Sequence, residues 1–251
     1  MEKDNKEIII KNKYRVKQHG EVFTPRNVVN NMISMSGLKE YILELTTTVL
    51  EPAVGEGVFL VELLKKRLKM VKKMSIENQT IYENLSLLAL TSLYGIELLE
   101  DNAQKCVINI YQAFYDEYKA FINDNGYSIK NKVLESAKVI ISANIVQGNF
   151  LTKKTTSGEN IVFSEWRVVE KNRKQKNIII DRTEHSIDDI LLQQDIVSGT
   201  VFSKNLENNQ LSIFDLFNNS MENQKEEKTL YKYISVKIVD VYKEEMEVYH
   251  G

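Results

Sequence analysis

The sequence predicts an α/β protein in which helices cover a mostly parallel sheet. Three observations predict it. Short β-branched or apolar runs recur at residues 46–53, 92–97 and 138–150. Long amphipathic stretches separate them. A glycine turn joins the first run directly to the first long stretch. Such strand–helix alternation is the pattern of a parallel sheet.

The elements follow in order. Residues 19–25 read HGEVFTP. Thr24 is placed to N-cap a helix, Pro25 fits its first turn, and Val28, Val29, Met32 and Ile33 have helical spacing. Gly37 is the expected stop. Residues 46–53 (TTTVLEPA) read as a short strand, and Val54-Gly55-Glu56-Gly57 as a tight turn. A helix over 58–73 then places Leu60, Leu63, Leu64, Leu68 and Val71 on one face. The apolar run 85–99 holds a second strand at 92–97, and an acid-opened helix follows to about residue 123. Residues 138–150 (KVIISANIVQGNF) read as a third strand ending in a Gly-Asn turn. Beyond 151, strands are expected at 162–169, 177–180 and 231–241, with a polar stretch at 204–228.

Composition excludes several classes. The chain has 251 residues, 43% hydrophobic and 27% charged, enough for one sizeable core. No apolar run approaches the ~18 residues of a membrane span, and no signal peptide is evident, so a reducing cytoplasm is the expected compartment. One cysteine and three scattered histidines exclude a disulfide framework and argue against a metal centre. The net charge of −2 lacks the basic excess of a protein that grips DNA alone.

Two motifs carry chemistry. Glu51-Pro52-Ala53-Val54-Gly55-Glu56-Gly57 brings backbone and a helix N-terminus to a ligand, and no Gly-Lys-Ser/Thr makes it a P-loop. Tyr94-Gly95-Ile96-Glu97 ends the second strand on an acid that suits ribose hydroxyls. It lies 40 residues after Gly57, longer than the usual ~20. Each also has a structural reading, a connecting turn and a helix-opening acid.

HGEVFTP, EPAVGEG, YGIE and GNFL, in this order, resemble the adenine-N6 DNA methyltransferases of restriction–modification systems, over residues 19–152. The resemblance implies a Rossmann-like class I sheet that binds S-adenosylmethionine (SAM), with helices on both faces. The SAM-binding domain would be residues 1–152. Residues 153–251 would complete the sheet and form a polar, less regular region. Carried over, Phe23, Thr24 and Pro25 line the pocket, and Glu51, Ala53, Gly55 and Gly57 hold the methionine part. Glu97 binds ribose, Ile96 and Leu98 lie beside the adenine, and Asn149 and Phe150 meet its edge and face.

The chain departs from that family twice. Asn149 stands where Asp is usual, so it accepts a hydrogen bond without charge. The catalytic Asn/Asp/Ser-Pro-Pro-aromatic motif, which grips the flipped base, is absent: the two prolines are Pro25 and Pro52. At its natural position the chain offers Glu165, Trp166 and Asp181 as stand-ins, each with a structural alternative. The implied function is DNA methylation with a divergent catalytic segment or a partner subunit; the alternative is an inactive SAM-binding regulatory or decoy module. Basic runs at 65–73 and 170–176 read as phosphate contacts or solvated faces. Gln210, Leu211, Ile213 and Phe214 resemble a sliding-clamp peptide, or form a short packing helix through Phe217.

Overall fold

A computed structural model of the chain describes residues 12–171, 176–192, 198–201 and 231–248. The clamp-like segment at 210–214 lies outside the described residues, as does most of the basic run 170–176. Two short helices come first, α1 (Lys13–His19) and α2 (Arg26–Ile33), then α3 (Leu38–Leu43) and strand β1 (Val49–Glu51). The sequence continues with α4 (Val58–Met74), α5 (Gln79–Thr91), β2 (Leu93–Glu97), α6 (Glu100–Asp124), α7 (Asn131–Asn144) and β3 (Ile145–Gln147). After these come β4 (Val162–Lys171), β5 (Ile178–Ser186) and α8 (Ile187–Leu191). The described end of the chain holds β6 (Tyr231–Tyr233), β7 (Val236–Lys237), a 3-10 helix (Ile238–Lys243) and β8 (Met246–Val248).

The class is mixed α/β, as the sequence predicts. β1, β2 and β3 form a parallel sheet in that order. Each crossover contains helices, as parallel pairing requires. The five apolar residues of α4 are each 0–1% exposed, as their 3.6-residue period predicts. α4 packs on α5 and α6, and α5 packs on α7.

Four expectations need correction. Pro25 itself takes the N-cap of α2, with no side-chain cap bond, and Thr24 is not the cap. Gly37, at φ 82°, opens α3 and does not end α2. Residues 138–144 are helical, not extended. Their β-branched residues suggest strand, but Val133, Ala137, Ile140 and Ile141 bury one face at helical spacing, and packing outweighs propensity. The strands after residue 160 also do not extend the parallel sheet: β4, β5 and β7 form an antiparallel sheet, and β6 pairs with β8.

α5 has no counterpart in the sequence reading. It is buried on nearly every side, so its apolar residues show no stripe. Asn78 caps it through its side chain, accepting from the Ile81 amide at 3.1 Å. The basic run on α4 hides another surprise. Arg67 is fully buried, against the solvated-face reading. Its guanidinium donates to Ile42 O (3.0 Å), Ala89 O (3.3 Å), Ser92 Oγ (2.7 Å) and Thr47 O (2.9 Å). Burial lowers its pKa to about 10. It ties α3, α5 and the entry to β1 together.

β4 runs opposite to the parallel strands. Its start packs at Gly148, where a Cβ would meet Ile161 at 2.8 Å. Tyr94 of β2 donates its hydroxyl to Ser164 O at 2.7 Å, with its ring edge-on to Phe163. Trp166 Nε1 then donates to Asn144 Oδ1 at 2.8 Å, at the N-terminal end of β3. No helix among the described residues is long and apolar enough to cross a membrane.

Candidate functional site

The candidate site is the C-terminal end of β1 and β2. Gly55 and Gly57 have φ of 56° and 83°, conformations that cost an L side chain strain. A Cβ on Gly57 would lie 2.7 Å from Cys106 Sγ, so α6 packs directly on the turn. A Cβ on Gly55 would stand 3.5 Å from the Phe23 ring, which covers the turn from the other side. Gly57 caps α4 without a side-chain bond, leaving that helix's first amides turned toward the turn.

Two carboxylates meet there. Glu97, 7% exposed, accepts from the Gly55 amide at 2.8 Å and the Leu99 amide at 3.0 Å. It thus joins the glycine turn to the end of β2. Glu51 Oε2 is buried and has no hydrogen-bond partner among the described residues. Burial, and then the charge of Glu97, push the Glu51 carboxyl up to about 8. Burial and the same two acids also raise the Cys106 thiol far above its ordinary range, so it is a packing residue and not a nucleophile.

The segment before α2 is fastened across this end by residues the sequence reading missed. Arg15 donates both terminal nitrogens to Asp101, at 2.8 and 3.0 Å, and one also to Glu21 at 2.6 Å. Asn102 Nδ2 donates to Glu21 Oε1 at 2.7 Å. Only Glu21 had a signal in the sequence, as part of HGEVFTP. On the outer side, Asn109 of α6 donates to Glu56 O at 2.9 Å, and Lys105 pairs with the Glu56 carboxylate.

The remaining predicted residues divide. Thr24 and Ala53 are exposed, Pro25 half-buried, and Leu98 44% exposed beside Glu97. Ile96 is fully buried in the core, so it supports the strand and offers no face to a ligand. Phe150 is half-buried against the core. Asn149 Oδ1 accepts from the Leu151 and Thr152 amides at 2.9 and 3.3 Å, closing its own turn.

The three catalytic stand-ins are not brought to this end. Trp166 is 7% exposed, its N–H is engaged, and Arg182 covers its ring at 5.0 Å, so no face is open to a base. Its bond to Asn144 places it at the opposite end of the parallel sheet from Glu97. Glu165 is exposed and pairs with His185 at 3.2 Å. Asp181 accepts from Arg167 (2.9 Å), Ser198 (3.1 Å) and Ser235. Burial pushes the Asp181 carboxyl up, but those hydrogen bonds and the Arg167 charge outweigh it and hold the group below its ordinary value. All three side chains serve the hairpin. No group of three metal-ligating side chains occurs among the described residues.

A family model described as N-6 DNA methylase matches residues 6–188, well over half the chain. Neither a comparison with curated proteins nor one with solved structures returned a match.

Proposed function

Because the chain belongs to the N-6 DNA methylase family, we propose that it binds SAM at the glycine turn and serves adenine-N6 methylation of DNA. In this reading it is a restriction–modification component. The groups that grip the target base come from a partner subunit or from a divergent catalytic segment. The family implies SAM as methyl donor.

The observation that carries the reading is the unpartnered buried oxygen of Glu51 beside Glu97. A buried carboxylate without a partner is costly, and an ammonium group is the ligand that removes the cost. SAM has one on its methionine part. The donor set fits the rest of the molecule too. The amides at the start of α4, which the Gly57 N-cap leaves without a side-chain cap bond, suit a carboxylate. Each oxygen of Glu97 keeps a second lone pair for a hydroxyl. Phe23 and Leu98 offer apolar surface, and the glycines leave the backbone approachable. The three strands and their order are compatible with one half of a Rossmann-like sheet.

SAM supplies an electrophilic methyl group. The chain's own residues bind and orient it: Glu51 meets the ammonium, Glu97 the ribose, and Asn149 with Phe150 the purine. Glu165, Trp166 and Asp181, the stand-ins for the missing Pro-Pro-aromatic motif, are engaged in the hairpin, which supports the partner. Among the described residues β1 pairs with β2 only. Its Leu50 is 41% exposed, and α2 and α3 expose Met32 and Tyr41. Such surfaces are suited to a second chain.

Calorimetric titration of SAM into the purified chain, with Glu97→Ala as control, tests the first half. Binding lost in the control is expected, and equal heats in both would overturn the site. Transfer of a labelled methyl group to DNA, with and without candidate partners, tests the second. A second reading, an inactive SAM-binding module, is favoured by the engagement of Glu165, Trp166 and Asp181 elsewhere. Methylated adenine in DNA after incubation with the chain alone would exclude it.

A further inference from the structure

We propose that Arg15 is a positioning residue for the cofactor: it holds the segment 20–25 closed over the glycine turn, with Phe23 as the roof. This rests on the SAM reading above. The segment begins at Gly20, whose left-handed φ of 66° ends α1 and reverses the chain. The reversal returns Glu21 to Arg15, and the guanidinium donates to its carboxylate at 2.6 Å. The same guanidinium grips both oxygens of Asp101, at 2.8 and 3.0 Å. Asn102, 1% exposed, adds a bond to Glu21 at 2.7 Å. Asp101 and Asn102 lie in the first turn of α6, just beyond Glu97 and Leu98.

Two residues after Glu21, the Phe23 ring stands over Gly55. Gly55 in turn donates its amide to Glu97. The stretch from Glu21 to Phe23 therefore runs from the start of α6 to the glycine turn. Glu97 and Glu51 end the two strands, β2 and β1, that this span crosses. The pairing is built to fix a position. A forked arginine–carboxylate pair sets both distance and angle, where a lysine is a point charge on a flexible stem. The Glu21 side chain is 6% exposed, so its charge is compensated inside the fold, by Arg15 and Asn102. Removing Arg15 takes the cation from a buried carboxylate, and the span swings outward to hydrate it. Phe23 moves with it and uncovers the turn.

The sign of the effect separates this role from a plain charge effect. SAM carries a net positive charge, and Arg15 is a cation at the mouth of the site. By Coulomb attraction alone, losing Arg15 tightens SAM. Losing the roof weakens it.

The test is release of labelled SAM from the full chain, chased with unlabelled SAM, together with SAM affinity by calorimetry. For Arg15→Ala the expected result is release faster by about tenfold or more, with association changed by about threefold or less, because closure acts mainly on the off-rate. Arg15→Lys keeps the charge without the fork and is expected to fall between parent and Arg15→Ala. Phe23→Ala is expected to match Arg15→Ala. The double variant is expected to be no weaker than Phe23→Ala alone, since the arginine acts through the ring. Urea unfolding, followed by the single tryptophan Trp166 at the far end of the sheet, is expected to keep its midpoint in Arg15→Lys. A midpoint that falls in step with affinity in both Arg15 variants would reduce Arg15 to a structural residue and overturn the proposal. Unchanged or tighter SAM binding in Arg15→Ala, or additive losses in the double variant, would overturn it as well. The failures are distinguishable. A parent chain that binds no SAM defeats the cofactor reading and this proposal with it, whereas SAM held by the parent and released equally slowly by Arg15→Ala defeats this proposal alone.

Discussion

The two ends of the parallel sheet follow opposite rules. At the N-terminal end, the β4–β5 hairpin satisfies what it buries. Trp166 bonds Asn144, and Arg182 lies between the Trp166 and Tyr233 rings at 5.0 and 4.3 Å. The Tyr233 hydroxyl donates to Glu184 at 2.9 Å. At the C-terminal end, two glycines hold positive φ, the charge of Glu97 bears on Glu51, and the buried Glu51 Oε2 has no hydrogen-bond partner among the described residues. A satisfied network is scaffold, whereas an unmet polar group beside backbone that only glycine adopts without strain fits the ligand site proposed above. Residue type alone reverses the assignment, since Trp, Asp and Glu on the hairpin look more catalytic than a glycine turn.

Breaking the scaffold end gives the largest effect. Trp166→Ala is expected to cost about 3–5 kcal/mol of stability in denaturant unfolding, and to leave SAM affinity per folded molecule unchanged. A matching loss of SAM affinity in the folded fraction would erase the distinction between the ends. Gly57→Ala comes next, at about 1–2 kcal/mol for the left-handed backbone, plus the clash with Cys106. Thermal melting of Gly57→Ala with Cys106→Ala separates these parts: the second change should relieve the clash and leave the backbone cost.

Glu51→Gln sharpens the comparison through pH. The folded carboxyl titrates near 8, above its ordinary 4.5, so the folded state holds an extra proton between those values. The stability this contributes is complete below about 4.5 and is lost as pH rises through about 8. The variant should be more stable than the parent above pH 8 and lack that slope. SAM should bind it about tenfold more weakly, ~1.4 kcal/mol. In the parent, affinity for the cation should rise toward pH 8 as Glu51 ionises. A flat affinity profile would mean that the ammonium lies elsewhere. The smallest effect is expected from Asn149→Asp. It keeps both turn bonds, adds the charge a purine amino group favours, and should tighten SAM a few-fold, under about 1 kcal/mol. Titration calorimetry at low salt would resolve it.

The legible parts had a periodic or a stereochemical signature. α4 and α6 show their apolar stripes, and β2 falls within one residue of its expected start. The glycine turn and Glu97 were legible because few residue types satisfy their backbone and charge requirements. α5 was not, because burial on all sides removes the stripe that marks a helix. Residues 138–144 were misread because β-branched composition pointed to strand while the buried face had helical spacing. Arg67 was misread with its run of lysines, because its four acceptors lie on residues 20 to 25 positions away.

By itself, the sequence determined the class, the two major helices and the glycine turn. These depend on neighbours within a few residues, whose spacing the chain displays directly. Only the tertiary structure decided which polar groups are satisfied. It engaged Glu165, Trp166 and Asp181 in the hairpin, and left Glu51 Oε2 without a hydrogen-bond partner among the described residues. Burial and pairing depend on which remote segments meet. Those long-range contacts set the cost of each charge, and so fix where the chain can receive a ligand.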